Sequence, residues 1–540
     1  MNELFKTLKN LIRTVFAEMG VTEEIVLQTP PNRAMGDLSL TSALKLAKTL
    51  KKSPMQIAQE IKDKLDAAGV NAACGFSKIE VAAPGFINFF IAPEKVKAMA
   101  AEVIATNGAT FGGCIEAQDK KRIMLEFCSA NPTGPLSIAH GRQAMVGDIL
   151  GSILSFAGHD VAREYYVNDE GKQIQLYAES VAERMKEIKG LAFAMPEGGY
   201  MGEYVKIAAQ AMLDAGVDCA DVNDVREKST AWNIAHIRAT LESCGVTYDR
   251  WVSQKKIELD GEIHKAIAIL KEKGHTFEAE DATWFKSTAF GDDKDRVLVR
   301  SNGILTYFAA DVAYHLYKLE RGYDVLIDLW GPDHHGYIKR VDAAIEAFKG
   351  KGNFDFSVII IQLVTVKDMK MSKRKGTIIL LNDLIEEVGK DAARLYYVLR
   401  RNSSHLDFDI DLAKAMSSDN PLYYIQYAHA RIASIIAKSG KKVDATWLSG
   451  LSEEGEFAMI KELFEFSTAV RLSAEQREPY IVIEYLKNLA GAFHKFYEHN
   501  RILVEGDEAK TQARLALIEA VRITFNTGLR LLGVSAPEKM

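Results

Sequence analysis

Cysteine is scarce, with five in 540 residues: Cys74, Cys114, Cys128, Cys219 and Cys244. No two have CxxC spacing, and none lies near a histidine in a metal-ligand pattern. That argues against a zinc site or a disulfide framework. Small buried thiols in a reducing compartment are expected instead. Long apolar runs are also missing. Gly, Pro or a charge interrupts each one well short of the roughly 20 residues a membrane span needs. The opening "MNELFKTLKNLIRTVFAEMG" reads as an amphipathic helix without the apolar core and small-residue cleavage site of a secretory signal. A cytoplasmic protein with no membrane segment is expected. No charge sign dominates: 67 Lys and Arg stand against 73 Asp and Glu, a net −6, with pI about 6.1. This balance does not advertise nucleic-acid binding, although local patches rather than totals decide it. Low-complexity segments and internal repeats are absent as well.

What remains is ordinary globular material, 48% hydrophobic and 26% charged. The length suggests about three or four domains. Residues 1–115 read as a small α+β domain. Helical periodicity covers residues 4–19, a second helix follows in "GDLSLTSALKLAKTL", and a third starts at "SPMQIAQEIKDKL" with Ser53 as cap and Pro54 at the first turn. "SKIEVAAP" and "GFINFFIA" flank Pro84-Gly85 like the arms of a hairpin, and a helix from Pro93 and the turn-rich "TNGATFGGC" close the unit. From 116 to about 405 strand-like runs alternate with helical ones, which argues a parallel sheet with crossover helices. The strand candidates are "RIMLEFCS", "VAREYYV", "DVLIDLWG" and "FSVIIIQLVTV". Residues of about 172–298 read as a mostly helical insertion. From 406 to 540 the strand signal fades and four long amphipathic segments predict a helical bundle.

Two stretches carry the chemistry. In "LEFCSANPTGPLSIAHGRQAMVGD" an apolar strand leads through a Pro/Gly turn into a helix expected from about His140. A helix N-terminus at the carboxyl end of a parallel strand suits a phosphate. His140 can donate to that phosphate and Gly141 leaves the backbone open; the alternative is a His capping its own helix. In "VTVKDMKMSKRKGT", a loop expected at about 367–377, five cationic residues surround Ser372. Such a loop suits a polyphosphate whose charge rises during transfer, and its plain alternative is a solvated basic turn.

Ser137, Ile138, Ala139 and His140 resemble the HIGH motif of class I aminoacyl-tRNA synthetases. Lys370, Met371, Ser372, Lys373 and Arg374 resemble their KMSKS loop. "FCSANPTGPL", "YYVNDEGKQI", "GDDKDRVLVRSNGILTYFAAD", "WGPDHHGY", "DNPLYYIQYAHARI" and "LRLLGVSAPEKM" narrow the resemblance to arginyl-tRNA synthetases, over nearly the whole chain. The resemblance implies an α/β, Rossmann-like class I catalytic core with insertions, flanked by a small α+β N-terminal domain that contacts the tRNA elbow and an all-α C-terminal anticodon-binding bundle. It implies ATP-dependent activation of L-arginine and transfer to the 3′-terminal adenosine of tRNA(Arg), with Mg²⁺ arriving on ATP, and a monomer. The departures are Ser137, where many members have His, and Ala139, where they have Gly. They motivate one alternative, a tRNA-binding paralogue with impaired catalysis.

The site follows residue by residue. Tyr307 and Asp311 are four apart, so on a helix they share a face. Asp311 sits among apolar residues, an odd place for a charge without a partner; a salt bridge inside the protein is the alternative. By resemblance these two contact the arginine side chain, with Glu126, Ser129 and Asn131 adding contacts. By the same resemblance His140, Ser137, Lys370 and Lys373 serve catalysis, and Gly141, His335, Met371 and Ser372 line the ATP site. Asp333, His334 and His335 invite a metal reading, but adjacent histidines on a loop rarely chelate one ion and no third ligand is evident; no bound metal is expected. Tyr423, Tyr424, Tyr427, His429 and Arg431 mix rings and cations that can stack on and pair with bases. Tyr424, Tyr427 and Arg431 are the tRNA candidates. At least half of the five are expected in the core.

Overall fold

The structure, a computed structural model, describes residues 2–367 and 379–540. Its centre is a five-stranded parallel sheet in the order Asp355–Ile360, Val325–Trp330, Arg122–Glu126, Asp160–Val167, Arg250–Ser253. Ile123, Leu125, Leu326 and Ile327 are buried in its middle strands, as expected of a parallel sheet covered on both faces. The chain starts at the central strand Arg122–Glu126, runs outward to one side, and returns to build Val325–Trp330 on the other. Such a reversal opens a crevice beyond the carboxyl ends of the two strands.

Around this core stand the other layers. Near the N-terminus a four-stranded antiparallel sheet, ordered Leu27–Gln28, Leu38–Leu40, Phe86–Ile91, Phe76–Ala82, packs with helices Asn2–Glu18, Ser42–Leu50 and Pro54–Ala67. The hairpin read around Pro84-Gly85 is present as Phe76–Ala82 against Phe86–Ile91. Ser53 caps its helix by accepting from the Gln56 N–H. Helices Lys172–Ile188, Glu203–Asp214 and Val222–Ser243 pack around Tyr177, Met185, Val205 and Val225. Helices Pro421–Ser439, Glu454–Gln476, Tyr480–His499 and Glu508–Leu531 form the C-terminal bundle. One hydrophobic cluster runs from Leu4 through the helix Ile138–Ala157 to Val534.

The sequence reading differs from the structure in four places. "GDLSLTSALKLAKTL" is not all helix: Leu38–Leu40 is a strand between two partners and the helix begins at Ser42. Burial of Leu38, Ser39 and Leu40 in the sheet overrides the local helical pattern. "FSVIIIQLVTV" splits into Asp355–Ile360 in the main sheet and Val364–Val366, which pairs in parallel with Leu406–Phe408. The stretch 172–298 holds the fifth strand of the parallel sheet and an antiparallel sheet of Thr276–Ala279, Ala282–Phe285 and Arg296–Val299. The helix at the junction begins at Ile138, with Ser137 as its cap residue.

One buried knot ties three parts together. The Arg394 guanidinium donates to Asp148 Oδ2 on the junction helix at 2.5 Å, to the Cys244 carbonyl at 3.0 Å and to the Leu532 carbonyl at 2.8 Å. Gly533 follows with a φ of +66°, and a Cβ there would fall 2.4 Å from the guanidinium. Only glycine fits both the backbone and the space.

Candidate active site

The helix Ile138–Ala157 starts where the central strand ends. His140 stands in its first turn. Its Nδ1 lies 3.2 Å from the Ser137 N–H, which donates to it, and 3.2 Å from Ser137 Oγ. With Nδ1 accepting, the ring proton sits on Nε2. Burial holds the His140 pKa below the usual imidazole value, so the ring is neutral near pH 7. The two options read from sequence therefore coexist: His140 caps its own helix through one nitrogen and keeps the other as a donor. His140 lines the central cavity, whereas Ser137 does not. The Ser137 hydroxyl is placed against the His140 ring.

Gly141 has a different neighbour from the one its position suggests. A Cβ there would lie 2.5 Å from Leu381 Cδ1 and 2.8 Å from Tyr397 Oη. The missing side chain makes room for protein. Gly141→Ala gains about 1 kcal/mol of helix propensity but overpacks a site with a fully buried Tyr397, which costs about 1–3 kcal/mol. Chemical denaturation is expected to show a net loss of about 1 kcal/mol, the reverse of the same change in an exposed helix.

Lys370, Met371, Ser372 and Lys373 lie outside the described residues. Both flanks of their segment are held at the junction. The Ile138 N–H donates to the Ile379 carbonyl at 3.2 Å, and the Leu381 N–H to the Leu136 carbonyl at 2.8 Å. On the other side the fully buried Arg142 donates to the carbonyls of Gln362, Ser404 and Arg401 at 2.8, 2.8 and 3.1 Å. Burial pushes its pKa down to about 10.

The crevice holds a cavity of about 760 Å³, well within the range of ligand sites. Glu126, Ser129, Asn131, His140, Tyr307 and Asp311 all line it, so the structure brings together residues up to 185 positions apart in the chain (126 to 311). Gly141 and His335 do not line it. His335 is exposed, and its neighbours Asp333 and His334 face the cavity instead. Those two sit 3.4 Å apart on the surface.

The floor is acidic. Cys128 and Ser129 take left-handed backbone angles, φ +70° and +33°, and turn the chain sharply after the strand. Ser129 Oγ then donates to Glu126 Oε1 at 2.9 Å and accepts from the Tyr166 N–H at 3.1 Å. Glu126 Oε2 meets Lys318 Nζ at 2.5 Å. Asp311 accepts from the Tyr337 hydroxyl at 2.6 Å, and among the described residues no Lys or Arg pairs with it. Burial raises its pKa above the usual carboxylate range, against the opposing pull of Tyr337. At the rim the Lys172 N–H donates to Tyr307 Oη at 3.3 Å, and Asn131 Nδ2 to Gln173 Oε1 at 2.7 Å.

Sequence reasoning missed Tyr337, Gln173, His315, Lys318 and Asp328. Two of these left a signal. Lys318 is seven residues beyond Asp311 on the same helix face, and Asp328 is a lone acid in the apolar "VLIDLW".

In the bundle Tyr423 and Tyr427 stack with centroids 5.8 Å apart, and Tyr424 meets His494 at 5.1 Å. Arg431 lies over Tyr497 at 4.5 Å and Tyr427 at 5.7 Å. Of the five residues read there, His429 alone is fully buried, tied to the Pro537 carbonyl at 2.8 Å. The other four are partly buried, so the expectation that at least half are core does not hold.

Three family models cover the chain: the arginyl tRNA synthetase N terminal domain over residues 4–91, the class I (R) tRNA synthetase catalytic domain over 103–409, and the DALR anticodon binding domain over 425–540. An arginine–tRNA ligase of Bacillus subtilis is 43% identical, with 99% of this chain and 98% of that protein covered. One from Desulforamulus reducens is 41% identical over 96% and 94%. The fold superimposes on Thermus thermophilus arginyl-tRNA synthetase with a TM-score of 0.79 at 23% identity, covering 99% of this chain and all of the other. With matching models across most of the chain and relatives this similar end to end, the chain belongs to the arginyl-tRNA synthetase family.

Proposed function

We propose that this chain is an arginine–tRNA ligase, activating L-arginine with ATP and passing it to the 3′-terminal adenosine of tRNA(Arg), with release of pyrophosphate and then AMP. One observation carries the reading. A cavity at the end of the parallel sheet has in its floor the acid Asp311, with which no described Lys or Arg pairs, and the donor His140, from a helix N-terminus, on its wall.

The guanidinium takes Asp311 and the outward side of Glu126, with Ser129, Asn131 and Tyr307 closing around the rest of the amino acid. The arginine carboxylate attacks the α-phosphate in line and pyrophosphate leaves. The ribose hydroxyl of the tRNA end then attacks the carbonyl of the adenylate and AMP leaves. No protein nucleophile is required, and catalysis is positioning plus charge stabilisation. His140 gives its Nε2–H to phosphate, held in place by Ser137. Lys370 and Lys373 meet the charge on the leaving pyrophosphate, with Met371 and Ser372 about the nucleotide. Mg²⁺ enters on the triphosphate as part of the substrate. Tyr424, Tyr427 and Arg431 receive anticodon bases by stacking and pairing. The division of labour is residues 1–115 for the tRNA elbow, 116–405 for catalysis and 406–540 for the anticodon. We place the enzyme in the cytoplasm as a monomer; among the described residues no helix is long and apolar enough to cross a membrane.

Charging of total tRNA with labelled arginine and ATP tests the function, with lysine as control. Arginine-specific charging is expected. Lysine lacks the planar fork and leaves acceptors unpaired, so discrimination of roughly 10⁴-fold should follow. tRNA binding without charging would defeat the assignment.

The raised pKa of Asp311 sets a pH dependence. A guanidinium prefers the ionised carboxylate. As pH falls through the raised value, the proton competes with arginine and KM for arginine rises, from a higher pH than an ordinary aspartate would give. The same group acts oppositely on the unliganded fold, because protonation relieves its burial. The arginine KM across mildly acidic pH, with ATP saturating, checks this; a flat profile would sink it.

A further inference from the structure

Glu126 and Asp328 are register partners on adjacent parallel strands, so their side chains rise side by side. Both are buried, and both line the cavity. Two desolvated carboxylates in that position repel each other unless a cation or a proton intervenes. The chain supplies one. Lys318 Nζ lies 2.8 and 2.9 Å from the two oxygens of Asp328 and 2.5 Å from Glu126 Oε2. Its side chain has no exposure to solvent, and it does not line the cavity. The ring of Tyr314 faces the ammonium from 4.4 Å. His315 closes the cluster, with Nε2 3.1 Å from Asp328 Oδ2 and Nδ1 2.8 Å from the Asp311 carbonyl.

Of the acids that line the cavity, Glu126, Asp311 and Asp328 form its floor, and one ammonium lies behind them. The helix Tyr307–Glu320 places Lys318 on the same stripe as Tyr307 and Asp311. We infer that Lys318 is a positioning residue that sets how many cations the pocket accepts, taking up the charge of Asp328 and one oxygen of Glu126 so that a single guanidinium settles between Asp311 and Glu126. This rests on the arginine reading above. Without Lys318 the substrate guanidinium meets a second acidic socket at Asp328, and Glu126 keeps Ser129 on one oxygen but loses the contact that fixes the other. The amino acid is then drawn out of line with the α-phosphate, or bound weakly.

The test is steady-state charging by the full-length protein carrying K318M, K318A or K318M/D328N. K318M is expected to lower kcat/KM for arginine roughly 10²-fold, as when one partner of a buried charge cluster is removed. The double variant restores the charge balance and is expected within about tenfold of wild type. Added n-propylammonium, which replaces the atoms that K318A removes, is expected to recover at least a tenth of the lost kcat/KM. A residue that only filled space would show neither recovery. Should K318M and K318A fail to fold, the charge-balanced double variant carries the test: arginine charging by it supports the inference, and a folded double variant that does not charge overturns it. A K318M enzyme within threefold of wild type, or a loss that neither D328N nor the amine relieves, also overturns it. Failure of wild type itself to charge arginine would instead defeat the function on which the inference rests.

Discussion

Asp311→Asn is expected to lower kcat/KM for arginine roughly 10²–10³-fold while leaving the KM for ATP unchanged. Asp311 lines the cavity, is raised in pKa by burial and, among the described residues, has only the Tyr337 hydroxyl hydrogen-bonded to its carboxylate. In the proposed function the substrate guanidinium is the cation it receives. Losing one member of a desolvated, hydrogen-bonded charge pair costs about 2–5 kcal/mol, and each 1.4 kcal/mol is tenfold. Asparagine keeps the shape and can still accept from Tyr337. It offers the guanidinium one neutral oxygen where the carboxylate offered two charged ones. The stability of the unliganded protein should hold or rise, because a raised carboxylate pKa marks a group that burial penalises. Arginine-dependent charging kinetics alongside a thermal melt separate the two effects. An unchanged kcat/KM for arginine would mean that the guanidinium binds elsewhere.

His140→Ala is expected to cut kcat by roughly 10²–10³-fold, with the arginine KM within about threefold of wild type, as for removal of one donor aimed at developing charge. Two losses have to be kept apart. The imidazole also accepts from the Ser137 N–H, so alanine removes a helix cap worth about 1 kcal/mol. That loss would appear in denaturation, while the lost Nε2 donor appears in kcat. Pyrophosphate exchange in the presence of tRNA reads the adenylate step directly. A fall in stability with kcat retained would make His140 a cap and nothing more.

The parts of this fold that could be read in advance are those written in local spacing. Ser53 before Pro54 announced a helix start, Pro84-Gly85 a hairpin, and the Pro/Gly turn before His140 a strand-to-helix junction. Tyr307 and Asp311 could be put on one face from their separation alone. What stayed hidden is settled by contacts between distant segments. Arg250–Ser253 is too short to announce itself inside a helical stretch, and joins the parallel sheet because Asp160–Val167 offers it an edge. Leu38–Leu40 looked helical until its partners on both sides were known. Lys318 went unread, since nothing local says that Glu126 and Asp328 converge on it. Gly141 suggested a ligand at its bare backbone, and proves to admit Leu381 and Tyr397.

The Arg394 knot sets an order of events in time. Its partners lie 246, 150 and 138 positions away along the chain, and synthesis delivers them in sequence. Asp148 and Cys244 are waiting when Arg394 emerges from the ribosome. The Leu532 carbonyl is made 138 residues later, on the far side of the whole bundle. Until then the guanidinium lacks one of its three oxygen acceptors and the glycine that lets the chain pass beside it. The junction helix has its own ties through Ile138 and Arg142, but its link through Arg394 to the end of the chain forms only when the final bundle helix docks. Closures of such long range are slow. A nascent chain of this family member would therefore carry the Arg394 knot one carbonyl short until its last helix is made.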